Sequence, residues 1–314
     1  MLELDTPSGS PSAPPASARP PQGLLEKVFL NDEELRTIWR VLLYCLFWMT
    51  FSFGLDLLAI EVFGFPTNSL SAQTILREDL LSFLAALGAA LAMAKLERRQ
   101  VDAYGLPRER AFGRLFWQGC LLGFVEVSLL LAAIAAFGGY SFGSVSLHGL
   151  EVSRWGALWF ATFLAVGLSE EYLFRGYTQY TLARGIGFWP AAIFLSVVFG
   201  AEHLWNPGES YVGAAGVTAT GLLFAFTLRR TGNLWLAVGW HATFDFGETF
   251  LYSVPDSGML FEHHLSNASL HGATWLTGGT VGPEGSVFSF LTMGIMAIAV
   301  HFLFPAEKTE ALQK

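Results

Sequence analysis

Charge is scarce in this chain. Of its 314 residues, 14% are Asp, Glu, Lys or Arg, against roughly 25% in an average soluble domain. No basic stretch is present that would mark a nucleic-acid footprint, so no nucleic-acid partner is expected. Cysteine is scarcer still: Cys45 and Cys120, each within an apolar run, exclude a disulfide framework or a thiolate metal site. The zinc-protease string HExxH is missing. No internal repeat is visible, which disfavours an inverted-repeat transporter. A basic n-region leading into an apolar h-region is also missing at the start, so the first membrane helix is expected to act as the insertion signal.

What the chain has instead is apolar mass. Hydrophobic residues make up 53%, mean hydropathy is +0.45, and there are 28 Phe and 10 Trp. A membrane helix needs about 20 apolar residues. Eight segments meet that demand, about 38–61, 74–95, 114–137, 155–183, 188–205, 211–229, 233–253 and 286–304. The expected fold is therefore all-α, a polytopic transmembrane bundle of about eight spans. Residues 1–25, rich in Ser and Pro (Pro11, Pro14, Pro15, Pro20, Pro21), are expected to be a disordered tail. The expected organisation continues with three N-terminal spans over 26–150, a catalytic core over 151–255, and an outside loop, last span and short tail over 256–314.

Charge placement orients the bundle. With both termini cytoplasmic and eight alternating spans, fifteen of the eighteen Lys and Arg fall inside, including Lys95, Arg98, Arg99, Arg184, Arg229 and Arg230. Only Arg77 and Arg154 fall outside, and Arg175 lies within a span. This is the positive-inside asymmetry, and it is compatible with a bacterial cytoplasmic (inner) membrane.

Ionisable groups within spans are costly and mark function. Three clusters carry them: Ser169-Glu170-Glu171-Tyr172-Leu173-Phe174-Arg175-Gly176, Phe199-Gly200-Ala201-Glu202-His203 and His241-Ala242-Thr243-Phe244-Asp245. Glu171 and Arg175 are four apart, so they share a helix face and predict a structural ion pair. Glu170 points about 100° away and is left free to work. His241 and Asp245 are again four apart, which lets the carboxylate orient the imidazole. At about 1.5 Å per residue, Glu170, His203 and Asp245 come to about 18–22 Å from the cytoplasmic ends of their helices, and His241 to about 12 Å. The four can meet at one level. Glu126 is an intramembrane carboxylate with no assigned role. Glu262, His263, His264 and His271 are expected in a solvated outside loop, where Asn267-Ala268-Ser269 also fits the glycosylation pattern.

In order, the clusters read EExxxR, FxxxH and HxxxD. They resemble the CPBP family (CAAX proteases and bacteriocin-processing enzymes, also called the ABI or Rce1-like family) over about 155–250. The resemblance implies a membrane-embedded endopeptidase of the glutamate type that uses no metal or cofactor. It implies that Glu170 and His203 activate water while His241 and the residue at 245 stabilise the oxyanion. The best-described members have Asn where this chain has Asp245. An ionised Asp cannot donate to an oxyanion, so Asp245 is expected to hold and charge His241. The expected partners are the bilayer and a peptide or lipidated protein substrate. Water must reach the site through a cavity, expected to open from the cytoplasmic or lateral side. Two other classes remain. One is a zinc protease using both histidines and an acid. The other is a non-catalytic scaffold, immunity protein or transporter with the same polar cluster.

Overall fold

Ten of the twelve residues in helix Trp235–Phe246 are buried, which places this helix inside the bundle. The computed structural model describes residues 30–31, 34–62, 64 and 71–305. The tail expected over 1–25 lies outside the described residues, as do Arg19, Lys27, Lys308 and Lys314 of the charge count. The described residues before Thr37 form one unit, in which Leu30–Asn31 pairs antiparallel with Glu34–Leu35. Residues 37–314 form the other.

The second unit is helical. Its long helices are α1 (Thr37–Glu61), α2 (Ala72–Leu96), α3 (Arg114–Ala136) and α4 (Leu150–Glu171). A π-helical stretch, Tyr172–Thr178, joins α4 to α5 (Gln179–Ile186). Then come α6 (Phe188–Glu202), α7 (Tyr211–Thr231), α8 (Trp235–Phe246) and α9 (Val287–Leu303). Six helices, counting Leu150–Ile186 as one, are long and apolar enough to cross a membrane. The seventh and eighth expected spans correspond to α8, extended by the π turn Gly247–Leu251, and to the 17-residue α9.

Local signals explain the helix ends. Ser71, Ser210 and Ser286 cap α2, α7 and α9 by accepting a backbone N–H of the first turn. Gly232, at φ 63°, ends α7 in a left-handed conformation that glycine adopts without strain. The apolar surface also sorts itself. In α1 only Arg40, Tyr44 and Ala59 are buried, while Leu42, Leu46, Met49 and Phe53 are exposed, as suits a helix facing lipid. By contrast α8 is enclosed by α3, α4 and α7. Its contact with α3 depends on the small residues Gly119, Gly123 and Gly239. A Cβ at Gly119 would stand 2.1 Å from Leu236 O, and one at Gly239 would stand 2.2 Å from Phe116 O. The glycines bring the two backbones together, the usual packing device of membrane helices.

The two ends of the bundle differ. The end holding Lys95, Arg99, Arg184 and Arg230 is filled by an aromatic cluster: Tyr44 stacks on Tyr177 at 4.7 Å, and Tyr104 meets Tyr177 edge-on at 4.9 Å. Tyr177 donates to Glu97 at 2.5 Å, and Arg99 pairs with the same glutamate at 3.7 Å. The other end is closed by loops 137–149 and 252–286, joined by the ladder Tyr140–Ser141 with Ser269–Leu270. Beneath those loops lies a cavity of about 450 Å³.

Candidate active site

A close helix approach sets the candidate side chains of α4 and α8 beside one another. One turn before the paired glutamates, Gly167 lets α4 lie on α8. A Cβ at that position would come within 3.1 Å of Val238 O and 3.4 Å of the His241 Cβ. Immediately after Glu171 the α-helix gives way to the π stretch, and Gly176 breaks helical geometry at ψ −118°. A second π turn follows Asp245 by two residues. Such turns cluster at functional sites because the extra residue shifts the phase of the side chains beyond it.

Glu171 and Arg175 are fully buried and paired at 3.1 Å. The same Glu171 Oε1 also accepts from His241 Nδ1 at 3.2 Å. Glu171 thus anchors the imidazole as well as the guanidinium, a second role that spacing along one helix cannot reveal. The expectation gave the orientation of His241 to Asp245. In the structure Asp245 does reach the ring, at the other nitrogen, with Oδ2 3.3 Å from Nε2, so His241 is held between two carboxylates. Glu170 Oε2 approaches that same Nε2 at 3.6 Å. With Nδ1–H committed to Glu171, two carboxylate oxygens at Nε2 are held favourably when a proton sits on Nε2 or on one of those carboxyls.

The FxxxH cluster locks onto the other two. The guanidinium of Arg175 lies 4.3 Å over the Phe199 ring, a cation–π contact in a buried setting. A Cβ at Gly221 of α7 would stand 2.5 Å from Arg175 Nη2, so glycine makes room for the guanidinium. The Phe199 ring is 4.8 Å from the His203 ring and 6.4 Å from that of His241, so it abuts both imidazoles. His203 Nδ1 donates to Phe199 O at 2.7 Å. A carbonyl only accepts, so that bond fixes the tautomer and leaves Nε2 as an acceptor. His203 is not bonded to the His241 group but lines the same cavity.

The cavity wall carries Glu170, His203, His241 and Asp245, and it also carries acids the sequence reading left aside. Asp79 on α2 lies against Ser169. It sits in the run Arg77-Glu78-Asp79, which reads as a polar helix end, so the string held no cue. Glu126 accepts from Trp240 Nε1 at 2.7 Å, which gives that isolated carboxylate a partner. Glu202 faces the cavity as well. Altogether eight carboxylates and no Lys or Arg line it. Asp256 and Glu284 close it from the loop side. Burial, and then the charge of Glu284, pushes the Asp256 carboxyl above its ordinary range, and burial does the same to Glu284.

The lining comes from inner turns of α3 and α4, through Glu126, Phe163, Val166 and Glu170, and from the start of α2, the end of α6, the first two thirds of α7, the end of α8 and the start of α9. The histidine loop gathers no site. His263 stacks on Trp155 at 3.8 Å, His264 bonds Ser266 O, and His271 bonds Ser269.

Residues 152–247 match the family model described as type II CAAX prenyl endopeptidase Rce1-like. No curated protein and no solved structure matched the chain. The matched segment runs from α4 to the π turn after α8 and contains all three motif clusters. That segment is similar to CAAX prenyl endopeptidases of the Rce1-like type, and with six helices able to cross a bilayer the chain is an integral membrane protein. Asp79, Glu126, Asp256 and Glu284 lie outside the matched segment, so the cavity is completed by parts of the chain that the family model does not cover.

Proposed function

We propose that this protein is an intramembrane endopeptidase that hydrolyses a peptide bond in a membrane-associated or lipid-modified substrate. The observation that carries the reading is the convergence on His241. Its Nδ1 is anchored by the Glu171–Arg175 pair, and its Nε2 faces Glu170 and Asp245 at the wall of the cavity.

Amide hydrolysis needs an activated water, a donor at the carbonyl oxygen and a proton for the leaving amine. Glu170 takes a proton from water, and the water oxygen attacks the carbonyl carbon. His203, whose Nε2 is an acceptor, shares that water. Protonated His241 Nε2 donates to the oxyanion as the tetrahedral species forms. Donors fixed in place within a dry site supply a large part of such catalysis. Asp245 holds the charge on His241 without touching the oxyanion. As the species collapses, the C–N bond breaks and the amine leaves with the proton taken from water. The acid-lined cavity favours a substrate segment that carries positive charge. The proposed setting is a bacterial cytoplasmic membrane, with the chain crossing it eight times and both termini inside.

The same acidic lining supports a second, non-catalytic reading in which the cavity binds a cation or a basic partner. The two are separated by comparing peptides in membranes of cells making wild-type protein or Glu170→Gln. Hydrolysis leaves new peptide ends in the wild-type membranes that are missing from the variant. Identical peptide sets would remove the enzymatic reading.

A further inference from the structure

Outside the proposed catalytic group, the molecule buries acids that nothing in the hydrolytic mechanism uses. Glu248 stands in the π turn after α8, three residues beyond Asp245. It is fully buried, and neither of its carboxylate oxygens has a hydrogen-bond partner. Two further carboxylates meet it, Asp256 from the following loop and Glu284 from the turn Pro283–Gly285 that leads into α9. One oxygen from each of the three lies within 4.8 Å of the others. None of the three takes part in an ion pair with a Lys, Arg or His among the described residues.

We propose that Glu248, Asp256 and Glu284 bind a hard divalent cation of the calcium class, which ties the end of α8 and the loop over the cavity to the start of α9. This inference stands apart from the proposed hydrolysis and holds whether or not the cavity is catalytic.

Three arguments converge. The first is the cost of the charges. Three ionised carboxylates at this spacing repel one another, and burying even one ionised group without a partner is strongly unfavourable. A central cation removes the repulsion and satisfies the two bare oxygens of Glu248 together.

The second is orientation. The carboxylates of the other two acids are held in place by hydrogen-bond donors. Thr249 Oγ1 donates to Asp256 Oδ2 at 3.1 Å, and Ser257 donates from both its backbone N–H and its hydroxyl to Glu284 Oε2 at 2.7 Å. Hydrogen bonds of this kind orient ligand carboxylates in metal sites. The two loops are themselves joined, since Gly258 N–H donates to Val281 O at 2.8 Å. Gly282, at φ 101°, packs so closely that a Cβ would stand 2.1 Å from Pro255 O.

The third is ligand chemistry. The donors are all oxygen, with no imidazole or thiolate, which suits a hard cation and not zinc. Calcium binds oxygen at about 2.3–2.6 Å and tolerates irregular geometry, so oxygens on opposite sides of it stand at most about 5 Å apart. The observed spread falls within that reach. Magnesium requires shorter bonds in near-octahedral order, which loops clamped in this way supply less readily.

The test uses the full-length protein in detergent, stripped with a chelator and returned to chelator-free buffer. Calcium binding is measured by equilibrium dialysis, and thermal unfolding is followed with CaCl2 or MgCl2 added. The expected result is one calcium per chain, saturating below about 1 mM free ion and about tenfold tighter than magnesium, with a raised unfolding temperature. Glu248→Gln is expected to weaken binding at least about tenfold. It should also unfold at a higher temperature than the stripped wild type, because a neutral amide removes the buried charge. If that variant does not fold, Glu284→Gln supplies the same comparison. Glu202→Gln, on the cavity wall away from the cluster, should keep the calcium response. Wild-type protein that binds no calcium up to about 5 mM, a Glu248→Gln protein that titrates like wild type, or a response lost in Glu202→Gln would each overturn the proposal.

Discussion

The two ends of this helix bundle are built on opposite principles. At the cationic end, charge and aromatic surface are spent on one another: Tyr44, Tyr104 and Tyr177 fill the interior, and Glu97 is shared by Tyr177, Arg99 and Arg40. At the acidic end, eight carboxylates face a cavity and few have a cationic partner. The chain runs through both ends several times, so the contrast is not one of domains. The lesson is that one end spends its charge on packing, while the other, where we propose that hydrolysis occurs, leaves carboxylates facing open space.

The sharpest way to break the comparison is Glu170→Gln. Peptide cleavage is expected to fall by about 10²–10⁴-fold, the usual worth of a general base, with the unfolding temperature unchanged. Equal losses of activity and stability would mean that the acidic end is structural too. Next comes Arg175→Met, which strands the buried Glu171 charge and is expected to cost about 3–5 kcal/mol in denaturant unfolding. Adding Glu171→Gln to that variant should recover most of the stability. It should not recover cleavage, because His241 Nδ1 still lacks its charged anchor.

These two experiments also separate what was legible in the sequence from what was not. Spacings of four residues place Glu171 beside Arg175 and His241 beside Asp245, and both contacts exist at 3.1 and 3.3 Å. The helical bundle was legible from runs of apolar residues, which reach α8 even though that helix is enclosed by its neighbours. What the string could not carry is contact between helices. Glu171 meets His241 across 70 positions, and Arg175 meets Phe199 only because the π stretch and Gly221 bring them together. The acids at 79, 248, 256 and 284 were missed for the same reason. Asp79 stands on α2, Glu248 in a π turn and Asp256 and Glu284 in loop segments, and no periodicity links them.

A smaller effect sharpens the other side of the contrast. Tyr177→Phe removes the hydroxyl that donates to Glu97. It should cost about 1.5–3 kcal/mol, as for hydrogen bonds to charged groups, while cleavage stays within about twofold. Smallest of all, Asp79→Asn at the cavity wall should raise KM for a lysine-bearing peptide by about two- to tenfold over that for its neutral analogue, since one unit of attraction is lost. The kcat of the two peptides should fall together or not at all.

The most direct measurement sets three purified proteins side by side in liposomes, wild type, Glu170→Gln and Tyr177→Phe, with a peptide that wild-type membranes are found to cut. The account expects cleavage by wild type and Tyr177→Phe, and none above background by Glu170→Gln at an unchanged unfolding temperature. Cleavage that persists without the carboxylate at 170 would contradict it.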